Sequence, residues 1–173
     1  MLLVQDVKEA ASLRIPDPSR VAFLTQTTLS VDETKGVIAA LRERFPAIQG
    51  PAKDDICYAT QNRQNAVKEM ARKVDALFVL GSPNSSNSNR LRELSQSLGT
   101  PAYLVEGAAD LRPEWLTGLR CAGVTAGASA PEHLVQGVVE RLRADGGSGQ
   151  VREMTLVPEH VTFPLPPELA RAR

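Results

Sequence analysis

Cysteine is scarce in this sequence: Cys57 and Cys121 are the only two in 173 residues. Two are too few for a disulfide framework, and neither belongs to a Cys-x-x-Cys pair. Histidine is as rare, and neither His133 nor His160 has a metal-site neighbour by sequence. Aromatic residues make up 4% against a hydrophobic content of 42%, which fits an α/β core of Val, Leu, Ile and Ala. A charge excess is missing too, since 20 Lys plus Arg balance 20 Asp plus Glu. A nucleic-acid surface normally carries a basic excess, so no nucleic-acid partner is expected. No apolar run approaches the ~20 residues that span a bilayer, so no membrane is expected. The opening MLLVQDVKE lacks a basic segment and a long apolar one, so no signal peptide is expected. These absences fit a soluble cytoplasmic protein.

What the sequence does contain is a recurring pattern. An apolar run stops at a cluster of small polar residues, and a helix pattern follows at once. Val21-Ala22-Phe23-Leu24 leads into Thr25-Gln26-Thr27-Thr28 and then Ser30. Ala76-Leu77-Phe78-Val79-Leu80 leads into GSPNSSNSN and an apolar-periodic stretch from Leu91. Cys121-Ala122-Gly123-Val124 leads into Thr125-Ala126-Gly127-Ala128-Ser129 and then Pro131. A helix N-terminus has unpaired backbone N–H groups and a partial positive charge, so it favours an anion. Three such turns suggest a site where several converge on a phosphate-rich small molecule.

The elements alternate. Residues 1–4 read as a short strand, and Asp6 with Glu9 as a capping box opening a brief helix. A strand follows at 21–24. Ser30 and Glu33 form a second capping box before a helix with Val37, Ile38, Leu41 and Phe45 on its apolar stripe. Further helices are expected at about 62–74, from Leu91 to Leu98, and at 113–119, with strands at 76–80, 101–105 and 121–124. A last helix carries Leu134, Val135, Val138, Val139 and Leu142, with Ser129 as N-cap and Glu132 completing a third box. Repeated strand–turn–helix units require parallel sheets, so the fold class is α/β, with the ligand turns at the carboxyl ends of the strands. Gly50 and Pro51 mark a boundary, giving a partial α/β unit at 1–53 and a second at 54–146. Residues 147–173, rich in proline, read as an extended tail with strands at 151–156 and 161–163.

Each candidate site residue also has an ordinary reading. Ser85, Ser86 and Asn87 are common turn residues, with Ser88 or Asn89 as helix cap, but the polar run is longer than a cap requires. Ser129 can cap a helix and bind a ligand at once. Thr27 and Thr28 can bond their own backbone, yet a threonine hydroxyl can also pass a proton to a substrate alcohol. Cys57 reads as a small buried hydrophobe, a metal ligand or a nucleophile, its polar flanks and the helix start favouring the last two. Cys121, at a strand start, reads as core.

Taken together, TQTTLSVDET (25–34), DDICYATQNRQ (54–64), GSPNSSNSNRL (81–91) and GVTAGASAP (123–131) resemble the later motifs of the LytB/IspH family. The resemblance runs through nearly the whole chain in the same order. It implies 4-hydroxy-3-methylbut-2-enyl diphosphate reductase, the terminal activity of the non-mevalonate isoprenoid route, with three α/β units around a [4Fe-4S] cluster. By motif, Cys57 resembles a cluster ligand. Ser85, Ser86, Asn87 and Ser129 look like diphosphate-binding residues, and Thr27 like the threonine that contacts the substrate hydroxyl and assists its protonation. The implied reaction is reductive dehydroxylation of an allylic diphosphate, fed by a ferredoxin- or flavodoxin-type electron donor. The family's first part, with two more cluster cysteines, two histidines and a glutamate, has no counterpart here. The chain therefore resembles a C-terminal portion, in which the cluster is expected to be absent or incomplete. Two other readings stand beside this one: a non-catalytic phosphate- or nucleotide-binding module with Cys57 a bystander, and a structural fragment that folds only with a partner.

Overall fold

Leu77, Phe78 and Val79 have no exposed surface, and the strand they belong to, β1 (Ala76–Leu80), is buried from end to end. In the computed structural model, which describes residues 1–51, 55–146 and 149–158, this strand is the centre of the molecule. Its neighbours are β2 (Ala102–Val105) and β3 (Ala122–Ala126), both parallel to it, in the order β2-β1-β3. Side chains alternate across a strand, so β1 serves two cores. Phe78 and Leu80 join Val105, Leu111, Ala126 and Val138 on one face. Leu77 and Val79 join Val67, Leu91 and Ala102 on the other. A continuous apolar run is what a strand covered on both faces requires.

The helices follow from the strands. Parallel neighbours need crossovers, and α4 (Ser86–Ser97) carries the chain from β1 to β2. Together with α3 (Tyr58–Ala71) it covers the Leu77 face, through Leu91 and Val67. On the Phe78 face lies α6 (Glu132–Gly146), which buries Val138 completely. Gly99, at φ 86°, ends α4 in the left-handed conformation that a side chain disfavours. The short α5 (Pro113–Leu116) sets Trp115 on the ring of Tyr103, centroids 4.3 Å apart.

The first fifty residues are built differently. α1 (Val7–Ser12) is capped by Asp6, whose side chain accepts from the Glu9 amide at 2.8 Å. It packs on α2 (Val31–Arg44) around Ala10, Leu41 and Phe45. Neither expected strand forms here. Residues 1–4 are irregular, and residues 21–24 make a single bridge, Ala22 to Gln49. Apolar residues alone do not make a strand; backbone groups need a partner edge, and among the described residues this segment bridges only to Gln49. Nor does Ser30 complete a capping box. It stands at the N-cap of α2 without a side-chain cap bond, and Glu33 turns instead to Arg90 at 3.5 Å.

Other boundaries shift. α3 begins at Tyr58 rather than near Asn62, and α4 at Ser86 rather than near Leu91. β3 extends through Thr125 and Ala126, so the turn after it is shorter than expected. Leu98, expected on the apolar stripe, is 43% exposed at the end of α4. Residues 151–156 form no strand, and 161–163 lie outside the described residues. Among the described residues, no helix is long and apolar enough to cross a membrane.

Candidate anion-binding site

In the strand order β2-β1-β3, the crossover from β1 leaves on one face of the sheet and the helix after β3 leaves on the other. The carboxyl ends of β1 and β3 therefore flank a switch point, the place where open α/β sheets bind ligands. The two turns are joined there. The Gly127 amide donates to the Leu80 carbonyl at 2.8 Å. Ser88 is 1% exposed. A Cβ added to Gly81 or Gly127 would lie 2.0 Å or 2.4 Å from its Oγ. Glycine at both positions is what lets the first turn of α4 sit against the strand ends.

Ser85 is the N-cap of α4, its Oγ accepting from the Ser88 amide at 3.3 Å. The cap is thus neither Ser88 nor Asn89, and Ser86, Asn87, Ser88 and Asn89 already belong to the helix. Serine and asparagine have modest helix propensity, but tertiary packing overrides it. Ser86 is exposed. Asn87 is 9% exposed, and its Oδ1 is buried with no hydrogen-bond partner among the described residues.

Although no sheet carries it, the turn at 25–30 reaches the same end of the molecule because α3 and the residues leading into it tether it three times. The Thr25 amide donates to Asp55 Oδ2 at 2.8 Å. The Cys57 amide donates to the Thr27 carbonyl at 3.1 Å, and Gln64 Nε2 to the Leu29 carbonyl at 3.3 Å. Gln64 is 2% exposed, so this last bond is shielded from water. Across the gap, the hydroxyls of Thr28 and Ser86 are 3.0 Å apart. Arg63, one turn into α3, donates from Nη1 to the Ala126 carbonyl at 3.0 Å, which ties α3 to the end of β3. Thr28, Arg63, Gln64 and Ser88 were not singled out for these roles by sequence. Only the recurrence of polar residues after each helix start could have flagged them.

Cys57 occupies the N-cap of α3 with its side chain exposed, beside the Thr27 carbonyl. Thr27 is exposed as well. Ser129 lies in the turn after β3 and is exposed, but it is not an N-cap, because α6 begins only at Glu132. Proline at 131 explains the shift: its ring disfavours the helical conformation for Ala130 before it, so the helix cannot begin there. Cys121 contradicts its expected burial. It is exposed, one residue before β3, where its amide donates to Asp75 Oδ2 at 2.9 Å. It lies at the amino end of the strands, opposite Cys57. Among the described residues, no group of three or more His, Cys, Asp or Glu could hold a metal ion.

The arrangement defines a parallel α/β protein with hydroxyls and helix N-termini gathered at the carboxyl ends of its strands. Comparison with known proteins narrows this. The family model described as LytB protein matches residues 1–143. The 4-hydroxy-3-methylbut-2-enyl diphosphate reductase of Ectopseudomonas mendocina is 60% identical over 167 residues, covering 96% of this chain and 53% of the relative. That of Azoarcus sp. is 59% identical over 171 residues, covering 99% and 54%. A solved structure of the E-1-hydroxy-2-methyl-but-2-enyl-4-diphosphate reductase from Plasmodium falciparum superposes with a TM-score of 0.86 at 30% identity, covering 98% of this chain and 54% of that one. The chain belongs to the LytB family. It spans about half the length of the curated relatives it matches.

Proposed function

We propose that this chain carries diphosphate-binding turns and one cluster cysteine of a reductase that converts 4-hydroxy-3-methylbut-2-enyl diphosphate to isopentenyl and dimethylallyl diphosphates. The observation that carries the reading is the meeting of three turns. Thr27 and Thr28, Ser85 to Asn87, and Gly127 to Ser129 are drawn to one end of the sheet by the Thr28–Ser86 contact and the Gly127–Leu80 bond. In this reading Ser85, Ser86, Asn87 and Ser129 hold the diphosphate, and Thr27 contacts the substrate hydroxyl and assists its protonation. A threonine hydroxyl is a poor acid, so Thr27 relays a proton rather than originating one. Cys57 is the ligand this chain offers to a [4Fe-4S] cluster. Residues 1–53, 54–146 and 147–173 are the parts of a larger assembly, working in the cytoplasm with a ferredoxin- or flavodoxin-type donor.

The residues present do not complete such a cluster. Iron–sulfur clusters are held by several thiolates, and the second cysteine, Cys121, is at the far end of the strands. Neither histidine nor carboxylate fills the gap among the described residues. The chain by itself is therefore expected to bind the anion and not to turn over substrate.

Calorimetry with the substrate tests the site. Ser85→Ala or Ser129→Ala should each weaken binding by about 1–3 kcal/mol, the range for a charge-assisted hydrogen bond. Unchanged binding in both would overturn the reading. Anaerobic reconstitution with iron and sulfide, followed by a reduced-viologen assay, tests the count of ligands. Turnover should appear only when the chain is fused to the part of a relative that lies outside the match. A colourless preparation that binds diphosphates even after such fusion favours a non-catalytic binding module instead.

A further inference from the structure

We propose that Ser88 is a positioning residue that makes the Ser85 hydroxyl an obligate donor to the bound anion, a role that rests on the diphosphate site proposed above. A serine hydroxyl has one proton to give and two lone pairs to receive. Ser85 Oγ receives twice from the same residue, from the Ser88 amide at 3.3 Å and from the Ser88 hydroxyl at 3.0 Å. Both lone pairs are then engaged, so the Ser85 proton must face away from Ser88. Among the described residues nothing accepts it. Ser85 is half-buried, at the start of a twelve-residue helix whose field favours negative charge. A hydroxyl locked as donor there matches an ionised phosphate oxygen, which can only accept, and disfavours a ligand that would donate.

The lock is rigid because Ser88 cannot turn away. It is 1% exposed, and its Oγ fills the space beside Gly81 and Gly127. Ser88 therefore joins the strand ends and sets the polarity of Ser85 with one oxygen. It need not touch the ligand.

Packing alone would also make Ser88 matter, and a double-mutant cycle separates the two roles. The chain, Ser85→Ala, Ser88→Ala and the double variant are titrated calorimetrically with inorganic pyrophosphate, their folding checked by circular dichroism. Ser88→Ala should weaken binding about 3–10-fold, the effect of one misdirected hydrogen bond. In the Ser85→Ala background the same change should have no further effect, because the hydroxyl it orients is gone. An undiminished loss in that background, or wild-type affinity for Ser88→Ala, overturns the positioning role while leaving the site intact. No binding by the unmodified chain overturns the site and the positioning role together. If Ser88→Ala does not fold, Ser88→Cys replaces it, filling the space with a feeble donor. Cysteine at 88 should weaken pyrophosphate binding likewise, and wild-type affinity would overturn the proposal.

Discussion

The two halves of the described chain solve burial in opposite ways. From Tyr58 to Gly146, a parallel sheet is covered on both faces and its central strand is wholly buried. From Met1 to Pro51, two helices and a pair of loops share a small core around Leu41 and Phe45. Met1, Leu2, Leu3 and Leu24 stay largely exposed there. Yet both regions deliver a polar turn to the same end of the molecule. The sheet region does so through its own topology, because a short turn leads from β1 into α4 and another from β3 into α6. The first region does so through tethers to α3 and the residues leading into it, from Asp55, Cys57 and Gln64. Position in the first case follows from the fold, and in the second from a few hydrogen bonds.

The largest effect should come from the sheet core. Leu77→Ala removes a side chain with no exposure, packed among Val67, Val79 and Leu91, and should cost about 2–5 kcal/mol. Val37→Ala, on α2 at the edge of the smaller core, should cost about 1 kcal/mol. Urea unfolding of the two variants measures both. Equal losses would mean that the halves share one core after all.

Glycine substitutions sharpen the same contrast. Gly127→Ala places a Cβ 2.4 Å from Ser88 Oγ, which must shift, and overpacking of this kind costs about 1–3 kcal/mol. Gly36→Ala, in the middle of α2, meets only Val7 Cγ2 at the ordinary distance of 3.4 Å. Alanine there should stabilise by about 0.5–1 kcal/mol, since glycine is a poor helix residue. A harmless Gly127→Ala in a thermal melt would show that the strand ends are looser than the geometry says.

The sequence was most readable where burial on two sides demands an unbroken apolar run. Residues 76–80 are such a run, and β1 has those bounds. Residues 21–24 look nearly as apolar, yet they are no strand, because strand formation depends on a neighbour that local sequence does not reveal. In the candidate site, the polar turns are legible in the sequence and the scaffolding that holds them is not. That Ser85 follows a strand is visible in the spacing, but the cap of α4 is Ser85 rather than the expected Ser88 or Asn89. That Ser88 would fill the gap left by two glycines, forty-six positions apart by their numbers 81 and 127, is a tertiary fact. Cys121, expected in the core, is exposed for a similar reason: the amino end of β3 is open, so that Ala122 is exposed too and burial begins at Gly123.

The smallest effect concerns acid. Asp75 and Asp17 both have carboxyls held below the ordinary value of about 3.9. For Asp75 the cause is the Arg120 amide and then the Cys121 amide, each donating at 2.9 Å from across the chain. For Asp17 it is the hydroxyl and then the amide of Ser19, two residues away. A carboxyl lowered by folding stabilises the native state above its unfolded pKa, and that contribution is lost as pH falls through the folded pKa. The sign is the same for both, but the consequence differs. The partners of Asp75 exist only when β3 lies beside β1, whereas those of Asp17 can persist locally in an unfolded chain, which shrinks the difference between states. Asp75→Asn should therefore lower the Tm at neutral pH, with the gap to wild type closing as pH falls below about 4. Asp17→Asn should leave the Tm nearly unchanged across the same range. Melts at pH 7 and at successive steps below pH 4 decide it. A gap for Asp75→Asn that persists in acid would place its effect in the amide's geometry rather than in the lost charge.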